Sequence, residues 1–224
     1  MTVILVLATF IGFLLIDHFM SRGKAPVFAQ ATETRRARGV MPMLQPNVVS
    51  GFEVRDNLRY HPGHTWALSE SPNLVRIGID DFASKVIGKA ETVQLPQRGQ
   101  WIRQGQKVWS FIRNGQKIDM VSPIEGSVAD VNEALLKDAG LANDDPYGEG
   151  WVVTVQSPDA KTNFRNLMTG TLAKWWTEQA SALLMKKLPT SMALAQDGGS
   201  PAKDLGATIP QEKWAEVTRE FFLT

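Results

Sequence analysis

The chain has 224 residues, which is enough for one domain with appended segments or for two small domains. Lys and Arg number 24 against 23 Asp and Glu, and this near-balance excludes a broadly basic nucleic-acid-binding protein. With no cysteine, the chain is also excluded from disulfide formation, thiol catalysis, cysteine-ligated iron–sulfur clusters and thiolate zinc sites.

The N-terminal segment is strongly apolar. Residues 3–16 read VILVLATFIGFLLI, and a helix that continues to Met20 is about 30 Å long, close to the thickness of the hydrocarbon core of a bilayer. A signal peptide needs basic residues before such a run, and the first residues contain none. A core helix is rarely apolar on every side. The pattern therefore predicts a transmembrane anchor over residues 1–20.

The charges that follow this run predict its orientation. Beyond Asp17 they are mostly basic: Arg22, Lys24, Arg35, Arg36 and Arg38 against Glu33. The positive-inside rule places such a cluster in the cytoplasm. We therefore expect a single-pass protein of the cell inner membrane, with its N-terminus outside and its main domain cytoplasmic. The basic cluster is expected to contact anionic lipid headgroups.

The middle of the chain changes character twice. Residues 21–50 are polar and broken by prolines, which predicts a basic linker. Residues 51–158 contain short strand-like runs separated by turn residues, and they predict a small sandwich or flattened β-barrel. Asn114-Gly115 is the clearest turn signal, because both central positions of a tight hairpin turn need positive φ. The predicted strands are 64–70, 74–80, 91–96, 105–112, 116–123, 126–132 and 151–156, with short helices over DFASKVIG and VNEALLKDAGL.

The C-terminal part predicts helices. Residues 159–188 place apolar side chains three and four apart, which predicts an amphipathic helix. Residues 189–210 are rich in Gly, Ala, Ser and Pro and predict a flexible linker, and residues 211–224 predict a last helix that begins after Pro210. A chain that ends in Phe-Phe-Leu-Thr exposes apolar surface unless something covers it. Either this tail folds back, or it docks on a partner.

Residues 58–157 resemble a known family, the H protein of the glycine cleavage system. The resemblance lies in five segments: RYHPGHTW, RIGIDDFASKVIG, VQLPQRGQWIRQGQ, SPIEGSVADVNEALL and NDDPYGEGWVVTV. The last is similar to the family signature through Pro146, Tyr147, Gly148, Gly150 and Trp151. The resemblance implies a mainly β fold, the flattened barrel or sandwich of lipoyl domains with their hybrid motif.

The resemblance also implies where a prosthetic group would be attached. In the family, lipoate is carried on a lysine at a hairpin tip, eight residues before the proline of the Ser-Pro motif. Here that proline is Pro123, and the position eight residues earlier is Gly115, which has no amine. The nearest lysine is Lys117, two residues further and about 6.6 Å along a strand. We therefore expect no cofactor; lipoate on Lys117 remains the alternative.

Other candidate site residues have structural explanations. His61 and His64 lack a visible third ligand, so we expect loop or core packing and no metal site. The pairs Asp80-Asp81 and Asp144-Asp145 are expected to cap helices or close turns. Aromatic residues are enriched at interfaces, and seven of them are the candidate partner-binding residues. These are Trp101, Trp109, Trp175, Trp176, Trp214, Phe221 and Phe222.

Together these observations predict a binding role. We expect a non-catalytic, non-lipoylated membrane subunit that acts as a scaffold or accessory component of a larger complex, of respiratory or photosynthetic type. Its partners would be the bilayer and other subunits, with neither nucleic acid nor a small-molecule substrate. The alternative is a membrane-tethered carrier modified at Lys117 that serves a glycine-cleavage-like or other redox or one-carbon enzyme.

Overall fold

The computed structural model of the protein describes residues 47–188 and 202–223. The predicted transmembrane anchor over residues 1–20 and nearly all of the linker over 21–50 lie outside the described residues. Among the residues that are described, no helix is both long and apolar enough to cross a membrane.

The strands of the described residues form three antiparallel sheets. A six-stranded sheet has the order β3-β4-β5-β11-β10-β7, a three-stranded sheet the order β6-β8-β9, and β1 pairs with β2. The strands are β1 Asn47–Val49, β2 Phe52–Val54, β3 Arg59–His61, β4 Thr65–Ser71, β5 Leu74–Ile79, β6 Thr92–Gln94, β7 Trp101–Ile102, β8 Lys107–Arg113, β9 Gln116–Val121, β10 Gly126–Val131 and β11 Val153–Gln156.

The helices lie between and after the strands. The helices are α1 Asp81–Ile87, α2 Glu133–Lys137, α3 Leu141–Asp144, α4 Ala160–Arg165, α5 Gly170–Lys187 and α6 Gln211–Phe222, with a 3₁₀ helix over Gly206–Thr208. Both short helices predicted between the strands are present. The mainly β architecture expected from the sequence is confirmed.

The main core is built from alternating strand residues. Ile77 on β5, Phe111 on β8 and Ile118 on β9 are fully buried, and the alternation is clearest on β9, where Lys117 and Asp119 on either side of Ile118 are exposed or half-buried. Each predicted strand corresponds to an observed one. The strands that the sequence did not predict, β1, β2, β3 and β7, have only two or three residues, too few to show an alternating pattern.

Two predicted boundaries differ from the structure. The last residues of the predicted linker over 21–50 form β1, because Val49 packs against the smaller of two hydrophobic clusters. The single helix predicted over 159–188 is two helices, α4 and α5. They are separated at Met168, whose backbone exchanges hydrogen bonds of 2.8 and 2.9 Å with Tyr60 on β3. A residue that pairs with a strand cannot continue a helix.

The C-terminal segment, residues 202–223, packs on the β domain. The predicted flexible linker over 189–210 is therefore wrong for its described end, because Leu205 and Ile209 are buried. On α6, the side chains of Val217, Phe221 and Phe222 are also buried. Of the two alternatives for the tail, the structure has the one in which it folds back on its own chain.

Adjacent leucines on α5 test this packing. Leu184 is fully buried, and Leu183 is 43% exposed. We expect Leu184→Ala to lower the free energy of unfolding by about 2–5 kcal/mol, because it opens a cavity in the core. Leu183→Ala has the same effect on helix propensity and is expected to cost less than about 1 kcal/mol. Urea denaturation measures both, and equal costs would contradict the orientation of α5.

Candidate functional site

The tip of the β8–β9 hairpin is the position at which the family resemblance implies that a prosthetic group would be attached. Arg113 on β8 pairs with Gln116 on β9, so only two residues form the turn. Asn114 has φ 50° and Gly115 has φ 71°, which is the left-handed pair that a type I′ turn requires. The predicted Asn-Gly hairpin is confirmed, and its tip has no amine on a side chain.

Contacts from two directions hold this tip in place. The backbone N–H of Asn114 donates to Oε1 of Glu91 at 3.0 Å. The guanidinium of Arg113 donates to both carboxylate oxygens of Asp204, at 2.7 and 2.8 Å, and to the carbonyl oxygen of Ile87 at 2.5 Å. Bidentate pairs of this kind fix geometry as well as adding energy. The turn is therefore anchored to the C-terminal segment.

A groove lies between the hairpin tip and the C-terminal segment. Its volume is about 350 Å³. It is lined by Arg113, Asn114, Gln116, Gly206, Ile209, Gln211 and Trp214. Apart from Arg113, whose charge is paired with Asp204, the polar side chains in this lining are neutral amides and an indole. The groove therefore carries little net charge.

Lys117, the alternative attachment point, lies on the strand and not on the turn. It pairs with Ile112, and its side chain is 56% exposed. Its Nζ lies 3.2 Å from Oδ1 of Asp119, whose other oxygen is 3.7 Å from Nζ of Lys107. Both lysines are exposed strand residues that share one carboxylate.

The ionised carboxylate of Asp119 is stabilised in part by Lys117. Partial burial by itself would raise the pKa of Asp119, but hydrogen bonds from Ser110 and Lys117 outweigh it, and the pKa lies below its ordinary value. The hydroxyl of Ser110 donates to this carboxylate at 2.7 Å. Acylation of Lys117 would remove one of the interactions that stabilise the ionised carboxylate.

The two candidate histidines have different environments. Nδ1 of His64 lies 2.8 Å from Oδ2 of Asp80, and both side chains are buried. The ring of His64 stacks on Phe82 at 4.0 Å between centroids and lies 4.3 Å from the ring of Trp176. His61 instead accepts a hydrogen bond on Nδ1 from the N–H of Gly63. In the described part of the chain, no group of three potential metal ligands includes either histidine.

The acidic pairs serve local structure. Asp80 is the N-cap of α1 and accepts from the N–H of Ala83 at 2.8 Å, as predicted. Asp81 bonds to Lys85 and to the N–H of Glu53, although burial raises its pKa above the ordinary value. Asp145 closes a turn through the N–H of Glu149, and Asp144 ends α3 without starting a helix.

The seven candidate partner-binding aromatics separate into two groups. Trp101 and Trp175 are 50% and 58% exposed. The others pack within this chain, and Trp176 is partly buried beside His64: Trp109, Trp176, Trp214, Phe221 and Phe222. These five residues therefore pack against other parts of the same chain, and Trp214 also lines the groove. For Trp101 and Trp175, partner binding stays a prediction.

Comparisons with known proteins identify the family. Residues 58–179 match the family model described as glycine cleavage H-protein. The chain belongs to this family. H proteins are non-catalytic carriers that work within an enzyme system. The match ends within α5, so the last turns of that helix and the whole C-terminal segment lie beyond it.

Individual H proteins are also similar to this chain. A probable glycine cleavage system H protein from Aeropyrum pernix is 36% identical over 118 residues, 53% of this chain and 81% of that protein. One from Coprothermobacter proteolyticus is 37% identical over 108 residues, 48% of this chain and 85% of that protein. The crystal structure of an H protein from Mycobacterium marinum is 27% identical, with a TM-score of 0.49, over 56% of this chain and 98% of that one.

The sequence did not predict that the pair of Arg113 and Asp204 holds the β8–β9 hairpin in place. These residues are 91 positions apart, and no local pattern links them. Glu91, which holds the N–H of Asn114, was also missed. A charge-balanced chain offers many possible ion pairs, so only the tertiary structure selects these contacts.

Removing the carboxylate of Asp204 tests whether its pairing with Arg113 holds the hairpin in place. We expect Asp204→Ala to lower the free energy of unfolding by about 1–3 kcal/mol, because the mostly buried Arg113 loses a charge-assisted bidentate partner. Asp130→Ala is the matched control, since Asp130 also pairs with an arginine and accepts from a backbone N–H, but at an exposed site. Its cost should stay below about 1 kcal/mol. Urea denaturation measures both free energies of unfolding, and equal losses would contradict the role of Asp204 in holding the hairpin.

The pKa of His61 yields a pH prediction. Burial, with a smaller contribution from nearby His64, lowers the pKa of His61 from 6.5 to about 4. The unfolded chain therefore binds this proton at a higher pH than the folded chain, and stability should fall as pH drops from about 6.5 towards 4. His61→Asn keeps an acceptor for Gly63 and removes the titration. Unfolding free energies at about pH 7 and about pH 5 should show a smaller loss in the variant, and an identical loss would refute this role.

Proposed function

We propose that this H-protein-family chain is a non-lipoylated, non-catalytic module that works by contacting other proteins. The observation that carries the proposal is the two-residue turn of Asn114 and Gly115. The resemblance to H proteins implies a lipoyl-lysine at the place of Gly115. A carrier needs a long side chain that ends in a nucleophilic amine, and the turn provides neither.

The surroundings of the turn support this role. The tip is held by Glu91 and through the pair of Arg113 with Asp204, so the hairpin is fixed and not presented as a free arm. Lys117 cannot reach the tip without a change of strand register, because its backbone pairs with Ile112. A change of register would also break the present pairing of the buried Phe111 with the buried Ile118.

The proposed setting is a membrane complex. Residues 3–16 are long and apolar enough, with the residues that follow, to serve as a single-pass anchor, and the basic residues after them favour a cytoplasmic domain. A tether of this kind raises the effective concentration of the domain near membrane partners. We propose an accessory subunit of a larger complex, of respiratory or photosynthetic type. Its identification requires extraction in mild detergent and analysis of the subunits that copurify.

The alternative is a carrier that takes lipoate on Lys117. The similarity to proteins named glycine cleavage system H protein favours it, since carriers are the ordinary members of that family. The position of Lys117 on β9 and its ion pair with Asp119 weigh against it.

Intact-mass spectrometry of the chain from its native cell decides between the two. We expect the unmodified mass, and we expect Lys117→Ala to behave as Lys107→Ala does, because both lysines are exposed partners of Asp119. A lipoyl group on wild-type Lys117 that disappears in Lys117→Ala would overturn the proposal.

A gain-of-function variant tests whether the lack of an amine at the hairpin tip is what prevents lipoylation. A Cβ at Gly115 meets no described atom within 4 Å, so Gly115→Lys is expected to fold, with a cost of about 1–2 kcal/mol for its positive φ. Gly105→Lys is the control, since Gly105 also has positive φ and open space but lies outside the hairpin. With a lipoate–protein ligase, we expect modification of Gly115→Lys alone. Equal modification of the wild-type chain would contradict the expectation.

A further inference from the structure

The side of α5 that faces away from the core is unusually apolar. We define the outer face of α5 as Leu172, Trp175, Gln179, Ala182, Leu183 and Lys186, all exposed. Their spacing of three, four, three, one and three residues places them within about 100° of arc on the helix. The opposite side of α5 is already buried against the β domain through Ala173, Ala180 and Leu184. The helix is thus apolar on two sides, and only one of them is covered among the described residues.

The composition of this face points to a lipid surface. Trp175 is 58% exposed and Leu172 is 56% exposed, and a Trp beside aliphatic residues is typical of helices that lie in the interface of a bilayer. Lys186 is the one charged residue within this arc, and Glu178, which is also exposed, lies about 40° beyond its edge. In the described part of the chain, Lys186 makes no ion pair, whereas Lys174 and Lys187 are paired with Asp56 and with Glu216 and Glu220. Lys186 is therefore free to attract an anionic headgroup.

The position at which the described domain begins also favours a lipid surface as the partner of this face. The described residues begin at β1, and β1 contacts α5. Val48 on β1 is 60% exposed, while its neighbour Val49 packs into the cluster that includes Ala173 of α5. Whatever precedes Asn47 thus joins the domain beside α5.

We infer that the outer face of α5 lies on the headgroup region of an anionic bilayer, with α5 parallel to the membrane plane. This inference rests on the proposed membrane anchoring and deepens it, because it states which surface of the domain faces the lipid. A helix of 18 residues is about 27 Å long, enough for three turns of contact and too polar to be inserted across the bilayer. The hairpin tip and its groove are then left to protein partners.

The chain's lack of cysteine allows a direct test with single probes. Gln179→Cys places a fluorescent label in the centre of the outer face, and Lys137→Cys places the same label on α2, which packs beside β6. The full chain is reconstituted into vesicles of phosphatidylcholine and phosphatidylglycerol. Flotation reports membrane anchoring, and quenching by aqueous iodide or by brominated lipid reports the depth of each label.

We expect the label at position 179 to be quenched by brominated lipid and to be at least about threefold less accessible to iodide than the label at 137. Replacing Leu172 and Trp175 by Ser should abolish this protection without preventing flotation, because both side chains are exposed and leave the core intact. The protection should also weaken when phosphatidylglycerol is omitted, since Lys186 then loses its anionic partner.

Three results would overturn the inference, and they can be told apart. If the chain floats but both labels are equally accessible to iodide, the outer face of α5 does not bind lipid, and the proposed anchor stands. If the label at 179 is already shielded in a lipid-free chain, the face binds protein, either a second copy or another chain. If the chain does not float at all, the anchoring fails, and the inference fails with it.

Discussion

The shortest turn that can join two antiparallel strands limits what the β8–β9 hairpin can offer. Two residues with positive φ reverse the chain, and the strands begin to pair at once on either side, at Arg113 and Gln116. Such a turn has room for small side chains and none for a displaced lysine within the same register. The functional proposal depends on this local geometry more than on any long-range feature.

The C-terminal segment adds a second constraint on the same hairpin. Asp204 pairs with Arg113 at the tip, and α6 contacts β9, so the segment lies along one flank of the hairpin. Further along α6, the rings of Phe221 and Phe222 also lie near the ring of His64. Phe82 and Trp176 lie beside the same ring. Burial of these rings stabilises the packing of the segment on the β domain. The hairpin flank is therefore covered by the chain itself, and surface for protein partners remains at the groove and at the exposed Trp101.

Local signals in the sequence were reliable where a single element explains them. The Asn-Gly turn, the N-cap at Asp80 and the longer strands were all predicted, because turn chemistry, capping and alternation act over a few residues. The prediction of one continuous helix was wrong at Met168. There a β-bridge to Tyr60 interrupts an apolar pattern that continues on both sides. The predicted flexible linker was wrong at Leu205, which is buried and whose backbone N–H donates to the carbonyl oxygen of Lys85, more than a hundred positions earlier.

The sequence alone determined the family and the identity of the residue at the hairpin tip, since both are properties of residue types at fixed spacing. It also determined that thiol and disulfide chemistry are excluded. Only the tertiary structure decided which tryptophans are exposed and that the tail covers its own domain. Periodicity shows that a helix has an apolar side, but which surface covers that side depends on packing between distant segments. Trp175 and Trp176 are neighbours in the chain, yet one faces outward and the other packs beside His64.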